Sequence, residues 1–517
     1  MNLKVVISVV MAAIVIAAGA LAFAVAGFLS PAQDDALDYV PADAAAYVNF
    51  FLDPSGPQKL ALDDLLGHFP QAGDRAQARD LIVGLIDRGL EPAGLRFDDD
   101  IDPWLGSQIA FFFSSPTSFT APPPAATLIA TEDPGATLDA VDDAQAGLGQ
   151  TFAEQSYEGA DYETDGSGLA VGVVDDFLVT GTEAGFKAVV DAHRGSSLGE
   201  SDRYREAVAG LSEDRLALGY FDVQGFAALS AGAVPGGLPG FGGGDARIEP
   251  SVSVVYARPN GLVVESSSGI PEGALGDITR TSAAPSEVLP ELPADSWAAI
   301  GIADLGKTVQ SLLGGGLTGL LFPGFPSGMP PSQPFGNEFD IDRAVGWMGD
   351  AGIFVRGDDP AGLDGGLVVR ATDPAAADRG LDYIRKLVDG STGGSAALPG
   401  DFSIDTGPTS EPIYVYRRGD SVVAAYGDDA ARAARPGSPS LGASRVIDEA
   451  TALLGDGFQL NGFVALPDAL ALVEALIPDD PMYRSEIKPW LDPLSTLAFG
   501  SKLEGDRVLT RAVLEVE

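Results

Sequence analysis

The chain repeats itself at long range, and that limits its fold more than any local pattern does. Phe97-Asp98 and Trp104-Leu105-Gly106 reappear as Phe339-Asp340 and Trp347-Met348-Gly349. Ala130-Thr131-Glu132-Asp133-Pro134 returns as Ala371-Thr372-Asp373-Pro374, and Ser197-Leu198-Gly199 as Ser440-Leu441-Gly442. Gly219-Tyr220 matches Gly462-Phe463, and Glu249-Pro250 matches Asp492-Pro493. These landmarks keep their order at an offset near 243, while Val40-Pro41-Ala42-Asp43-Ala44 returns as Leu292-Pro293-Ala294-Asp295-Ser296 at 252. A repeat of this length is a domain rather than a solenoid unit. The expectation is a tandem internal duplication: copy one over 38–270, a connector over 271–288 and copy two over 289–517.

Within a copy the pattern alternates between short strands and helices. The apolar run Ala44 to Leu52 reads as a strand, broken by Pro54-Ser55-Gly56. A helix over about 73–90 places Ala78, Ile82 and Ile86 on one stripe. Strands follow at about 108–114 and 126–132, and Asp133-Pro134-Gly135 opens a helix that runs to Leu148. Alternating segments from 151 to 182 turn at Asp175-Asp176, and a helix pair at 184–211 leads to a strand at 215–223. A last hairpin turns at Asn260-Gly261, a pair suited to positive φ. Strands joined by such short turns are antiparallel, so the fold class is α+β, each copy a largely antiparallel sheet with packed helices.

Ahead of the copies, Val5 to Leu29 is a run of 25 uncharged residues between Lys4 and Asp34-Asp35. At about 1.5 Å per helical residue it exceeds the roughly 30 Å hydrocarbon core of a bilayer. Residues 1–30 therefore read as a transmembrane anchor rather than a cleaved leader, whose apolar region is usually only about 7–15 residues. Lys4 and the terminal amine keep the N-terminus cytoplasmic and place the bulk of the chain outside the cytoplasm, in the cell membrane and envelope.

Composition then removes whole classes of activity. Lys and Arg number 31 against 74 Asp and Glu, a net charge of −43, with two His and no Cys. Without cysteine there are no disulfide scaffolds, zinc ribbons or thiol nucleophiles. So acidic a surface repels a phosphate polymer, which excludes nucleic acid as a partner.

The ensemble of Pro-Ala-Asp before a strand, Leu52-Asp53-Pro54-Ser55-Gly56-Pro57-Gln58-Lys59, Asp102-Pro103-Trp104-Leu105-Gly106, Thr131-Glu132-Asp133-Pro134 and Asp202-Arg203-Tyr204-Arg205 resembles the bacterial family called domain of unknown function thirty-three fifty-two. The resemblance covers nearly all of the chain after the anchor. It implies a membrane-anchored, extracytoplasmic protein and supplies no activity or catalytic residue. Copy two lacks the Asp-Pro-Ser-Gly stretch and carries Arg343-Ala344-Val345-Gly346 before its tryptophan.

Candidate chemistry is thin. Gly195-Ser196-Ser197-Leu198-Gly199 has the spacing of a nucleophile elbow, but the histidine such an enzyme needs follows the serine, and both His68 and His193 precede Ser197. The segment reads as a polar turn between helices, and His68, beside Phe69-Pro70 at a helix end, as a capping or surface histidine rather than a ligand. Asp98, Asp100 and Asp102 resemble the opening of a calcium loop, yet its sixth and twelfth positions are Pro103 and Ile109 rather than Gly and Glu. An acidic capping turn before Trp104 is the reading, with calcium left open. Gly314-Gly315-Gly316 lacks the lysine of a phosphate loop.

The sequence thus assigns no catalytic, cofactor-binding or metal-ligating residue. It points to a non-enzymatic binding or scaffolding role in the envelope, with a carrier or sensor of an apolar, lipid-like ligand between the copies as the alternative and an extracytoplasmic enzyme third. Membrane contact is expected through residues 5–29. The uncharged stretches 223–244 and 308–337, each with an apolar-Pro-Gly-Phe turn, are the candidate contacts to an envelope protein or lipid.

Overall fold

The computed structural model describes residues 33–70, 75–115, 122–149, 151–222, 249–271, 274–314, 340–357, 359–392, 402–404, 411–476, 481 and 483–517. The apolar run 5–29, the uncharged stretch 223–244 and residues 315–337 of the stretch 308–337 lie outside them, while 308–314 belong to the helix Leu305–Gly314. Among the described residues, no helix is long and apolar enough to cross a membrane. These residues form two compact units, the first ending at Gly269 and the second starting at Ile270.

In the first unit a helical turn, Asp35–Tyr39, leads into β1 (Ala44–Phe51), α1 (Gly56–Leu66) and α2 (Arg75–Leu90). There follow β2 (Leu105–Ser114), β3 (Ala125–Thr131), α3 (Pro134–Leu148), β4 (Ala153–Tyr157), β5 (Ala160–Thr164), β6 (Leu169–Val174) and β7 (Phe177–Thr182). The unit closes with α4 (Glu183–Arg194), α5 (Asp202–Val208), β8 (Ala217–Phe221), β9 (Ser251–Arg258) and β10 (Gly261–Gly269). All pairings are antiparallel, in the order β4-β5-β6-β7-β3-β2-β1-β8-β9-β10.

The sheet separates two cores, and strand periodicity sends alternate side chains to each. On β7, Phe177 and Val179 join Tyr47, Phe112, Leu128 and Phe186 on one face, while Leu178 between them joins Ile86, Phe97, Trp104 and Ile109 on the other. Helices therefore cover both faces, which is why Ile109–Phe113 of β2 and Phe177–Val179 of β7 are apolar at successive positions.

Local chemistry accounts for the elements. Asp133 caps α3 by accepting from the amides of Gly135 and Ala136 at 3.0 and 3.1 Å. The buried stripe of α2 is Val83, Ile86 and Leu90; the side chains of Ala78 and Ile82 lie outside the described ones. The last hairpin differs from expectation: its two loop residues are Pro259 and Asn260, with Arg258 paired to Gly261. Neither Asn260 nor Gly261 has positive φ, because proline at the first loop position fixes φ near about −65° and selects a different turn.

The second unit holds β11 (Ala298–Ile302), β12 (Met348–Arg356), β13 (Asp364–Ala371), α6 (Pro374–Thr392), β14 (Phe402–Ile404), β15 (Ile413–Arg418), β16 (Ser421–Tyr426), α7 (Asp428–Ala433), α8 (Val446–Leu454), β17 (Gln459–Ala465), β18 (Leu494–Glu504) and β19 (Arg507–Val516). The antiparallel order is β14-β15-β16-β13-β12-β11-β17-β18-β19. Read from β5 onward, the first unit has the same order.

Individual hydrogen bonds recur at the repeated landmarks. The Leu198 amide donates to Val40 O and that of Leu441 to Leu292 O; the Asp222 amide donates to Ala45 O and that of Ala465 to Trp297 O. Isolated bridges join Pro41 to Ser197 and Pro293 to Ser440. Both tryptophans are buried, Trp104 with its indole N–H on Asp100 O and Trp347 with its own on Ala344 O.

One correspondence shifts relative to the sequence reading. The amides of Glu132 and Thr372 donate to the carbonyls of Trp104 and Trp347, and those of Thr131 and Ala371 to Asp176 and Asp420. Asp133-Pro134 and Asp373-Pro374 fix this register as the starts of α3 and α6. Thr131 therefore corresponds to Ala371, and Ala130 to Arg370. Residues 271–288 carry the helix Ala274–Ser282 and bury Ala283, Ser286 and Val288.

Candidate functional site

In the first unit a cavity of about 420 Å³ opens beside the turn that precedes β1. Ala36 and Tyr39, three apart and buried, pin that turn to the core. In a 3₁₀ turn residues three apart eclipse, so Asp35 and Asp38 share the adjoining, exposed face and form one wall. Glu132, at the β3–α3 junction, and Asp176, in the β6–β7 turn, supply two further carboxylates. No Lys or Arg among the described residues lines this cavity.

Aromatic rings form the floor. Tyr39 stacks on His193 of α4 at 4.3 Å with 3° between planes, and meets Phe177 at 4.8 Å. His193 Nε2 lies 2.8 Å from Asp175 Oδ2, and Asp175 sits at φ +48° in the β6–β7 turn. The Tyr39 hydroxyl is pushed up to about 12, by burial first and then by Asp175, Asp176, Asp38 and Asp35, so the floor lies in a negative field.

Behind the wall runs a buried polar chain. Gln108, buried in β2, donates to Asp35 Oδ2 at 3.4 Å and accepts from Asn49 Nδ2 at 2.9 Å and from the Ala36 amide at 3.4 Å. Asn49 Nδ2 also donates to Asp34 Oδ1 at 2.7 Å, which takes a second hydrogen bond from the Tyr47 hydroxyl. Asp34 Oδ2 and Asn49 Oδ1 are enclosed and accept none. Burial raises the Asp34 carboxyl to about 6 against the pull of Tyr47, Arg215 and Asn49.

The second unit treats its acids differently. Its cavity of about 450 Å³ is walled by Asp295, Arg356, Asp429 and Arg432, where Arg356 pairs with Asp295 at 2.7 Å and Arg432 with Asp429. Another, of about 560 Å³, is lined by Phe402, Tyr414 and Tyr416 with Arg417, Arg432 and Arg435 around it. It adjoins α7, which spans six residues where α4 spans twelve.

Residues singled out in the sequence are engaged in local contacts. Asp98 pairs with Arg79 at 2.5 Å, Asp100 accepts from the Arg96 amide at 2.7 Å, and Asp102 lies 3.7 Å from Arg79. Asp340, the counterpart of Asp98, caps the helix Ile341–Val345. Among the described residues no cluster of His, Asp and Glu is arranged to hold a metal ion. Ser197 is buried and extended ahead of a short 3₁₀ turn, not on a strand-to-helix elbow. His68 Nδ1 lies 3.0 Å from Asp64 O at the end of α1. The Gln58 amide clamps the Ala257 backbone, accepting its N–H at 2.7 Å and donating to its C=O at 3.3 Å, while Lys59 pairs with Asp53. The stretch 53–59 thus fastens α1 to β9.

Sequence reading missed the acidic cavity because Asp35, Gln108, Glu132, Asp176 and His193 come from five separate segments. A signal was present. Extended six residues before Val40, the repeat sets Asp34-Asp35-Ala36-Leu37-Asp38-Tyr39 against Ser286-Glu287-Val288-Leu289-Pro290-Glu291.

No curated protein matches the chain. Solved structures of TP0453 do: crystal form III at 12% identity, over 47% of this chain and 81% of that chain, with a TM-score of 0.24, and form IV at 11%, over 45% and 80%, also 0.24. At such scores the likeness carries no argument about fold or function. The family model DUF3352, described as a protein of unknown function, matches residues 5–392, including the apolar run and leaving 393–517 unmatched. The chain belongs to that family.

Proposed function

We propose that the chain is a single-pass, membrane-anchored envelope protein whose ectodomain, a tandem duplication, binds a partner outside the cytoplasm without catalysing a reaction. The observation that carries the reading is the 25-residue uncharged run Val5 to Leu29 ahead of two large acidic units. The family match includes that run. Shared strand order and recurrent hydrogen bonds support the duplication. The non-enzymatic reading is supported by the use of Ser197 in a buried turn, of Asp98 and Asp102 beside Arg79, and of Asp100 on the Arg96 amide. External protease added to intact cells is expected to degrade residues 30–517; their protection in intact protoplasts overturns the reading.

The second reading is a carrier of an apolar ligand. It draws support from the aromatic cavity beside α7, lined by Phe402, Tyr414 and Tyr416. Native mass spectrometry of the purified full-length protein tests it: co-purifying lipid favours the carrier, and its absence favours the first reading.

A further inference from the structure

The two units differ in how they use one position of the fold. In the second, Arg370 near the end of β13 directs one guanidinium nitrogen to Glu287 and the other to Glu291. In the first, the corresponding residue is Ala130 on β3. Three observations fix that correspondence. Ala130 pairs with Phe177 as Arg370 pairs with Ser421, each at the same end of the matching strand pair. Gly106 abuts the Ala130 backbone as Gly349 abuts that of Arg370. The next residue in each strand, Thr131 or Ala371, donates its amide to the turn aspartate, Asp176 or Asp420. Glu287 in turn stands where the first unit has Asp35, at the 252-residue offset of the neighbouring Val-Pro-Ala-Asp repeat.

One of the two acids of this arrangement is thus kept in the first unit, as Asp35, while Tyr39 stands where the second unit has Glu291 and the arginine is absent. A methyl group stands where the guanidinium stem would leave the strand, and the 420 Å³ cavity opens there, with Ala130 in its lining. Asp35, Asp38, Glu132 and Asp176 surround it, and no ion pair among the described residues neutralises any of the four. A cation entering would meet carboxylates on its flanks and the rings of Tyr39 and Phe177 beneath, a setting that favours a flat, delocalised charge. The volume suits a head group with a short chain.

From this we infer that the first unit binds a guanidinium group in the cavity at Ala130, the ligand taking the place that Arg370 fills internally in the second unit. The inference deepens the binding role proposed above and rests on the correspondence of the two units. It commits to the guanidinium group. A free small molecule and an arginine side chain of a peptide are two sources of that chemistry.

Full-length protein in mild detergent, titrated calorimetrically at 150 mM salt, tests it with agmatine and with a blocked arginine tripeptide as probes. Agmatine is expected to bind one site. Ala130→Arg, which installs the internal guanidinium, should weaken binding at least tenfold, and Arg370→Ala should add a second site. Should Ala130→Arg fail to fold, Asp35→Asn with Glu132→Gln replaces it and should weaken binding similarly. Tripeptide binding lost in Ala130→Arg assigns the peptide source, and agmatine binding alone the free molecule. Absence of binding by both probes, or binding that survives these variants as a diffuse cation atmosphere would, overturns the inference. Protease accessibility of the ectodomain is unaffected by either result, so the envelope reading stands or falls separately.

Discussion

Asp34 shows what one buried carboxyl does to a molecule otherwise covered in solvated acids. The residue as a whole is half-buried, and its enclosed part is the carboxylate, whose Oδ2 meets neither water nor a donor. Its folded value of about 6 lies above the ordinary 3.8. The folded protein therefore holds a proton that the unfolded chain releases. The stability from this group is fully present below about 3.8 and is lost as pH rises through about 6. A gap of that size between folded and unfolded carboxyl is worth on the order of 3 kcal/mol. Asp34→Asn should remove that loss, so urea denaturation is expected to show variant minus wild-type stability growing between pH 4 and 7. A difference that stays flat over this range refutes the assignment. In the second unit the same place is taken by Ser286, a neutral donor to Ala351 O at 2.7 Å, which carries no such pH dependence.

At the scale of elements, the contact between α6 and its tryptophan sets a glycine that propensity alone would reject. A Cβ at Gly380 would collide with Trp347 Nε1. Gly to Ala inside a helix ordinarily stabilises by about 1 kcal/mol. Here the overpacking penalty, about 1–3 kcal/mol, exceeds that gain. Gly380→Ala is expected to lower the melting temperature and redshift the indole emission; a raised melting temperature contradicts the packing argument. Elements were legible where their chemistry is local. Asp133-Pro134 announces α3 because the cap bonds reach only two and three residues on, and Asp175-Asp176 announces a turn between two apolar runs. The Asn260-Gly261 reading failed because Pro259 outranks it, and the sequence alignment of β3 with β13 slipped one residue where Thr-Glu-Asp-Pro faces Thr-Asp-Pro. The cavity at Ala130 stayed hidden because no segment carries more than two of its carboxylates.

For the whole molecule the dominant fact is charge. Beyond residue 29 the chain carries 30 basic and 74 acidic residues, and among the described residues most ion pairs have at least one exposed partner, which makes each worth little. Self-repulsion across such a surface acts over the Debye length, which falls from roughly 30 Å at 10 mM salt to about 8 Å at 150 mM. Raising sodium chloride over that range is expected to stabilise the protein by on the order of 1 kcal/mol, about 2–4 °C for units of this size. A scanning-fluorimetry series in which melting falls with salt would show that the ion pairs outweigh the repulsion.

The strand order also dictates when each half of the protein can assemble. In the first unit β1 lies between β2 and β8, so Ala46 waits for Phe221, roughly 175 residues later in synthesis. In the second, Ala299 waits for Phe463 in the same way. The earliest strand to emerge is thus among the last to be enclosed. Contacts this distant in sequence fold slowly and leave apolar edges open meanwhile. A nascent chain stalled before residue 217 has every strand of its first unit up to β7 and no partner for the free side of β1. Chaperone capture of nascent chains should therefore drop sharply once β8 is available.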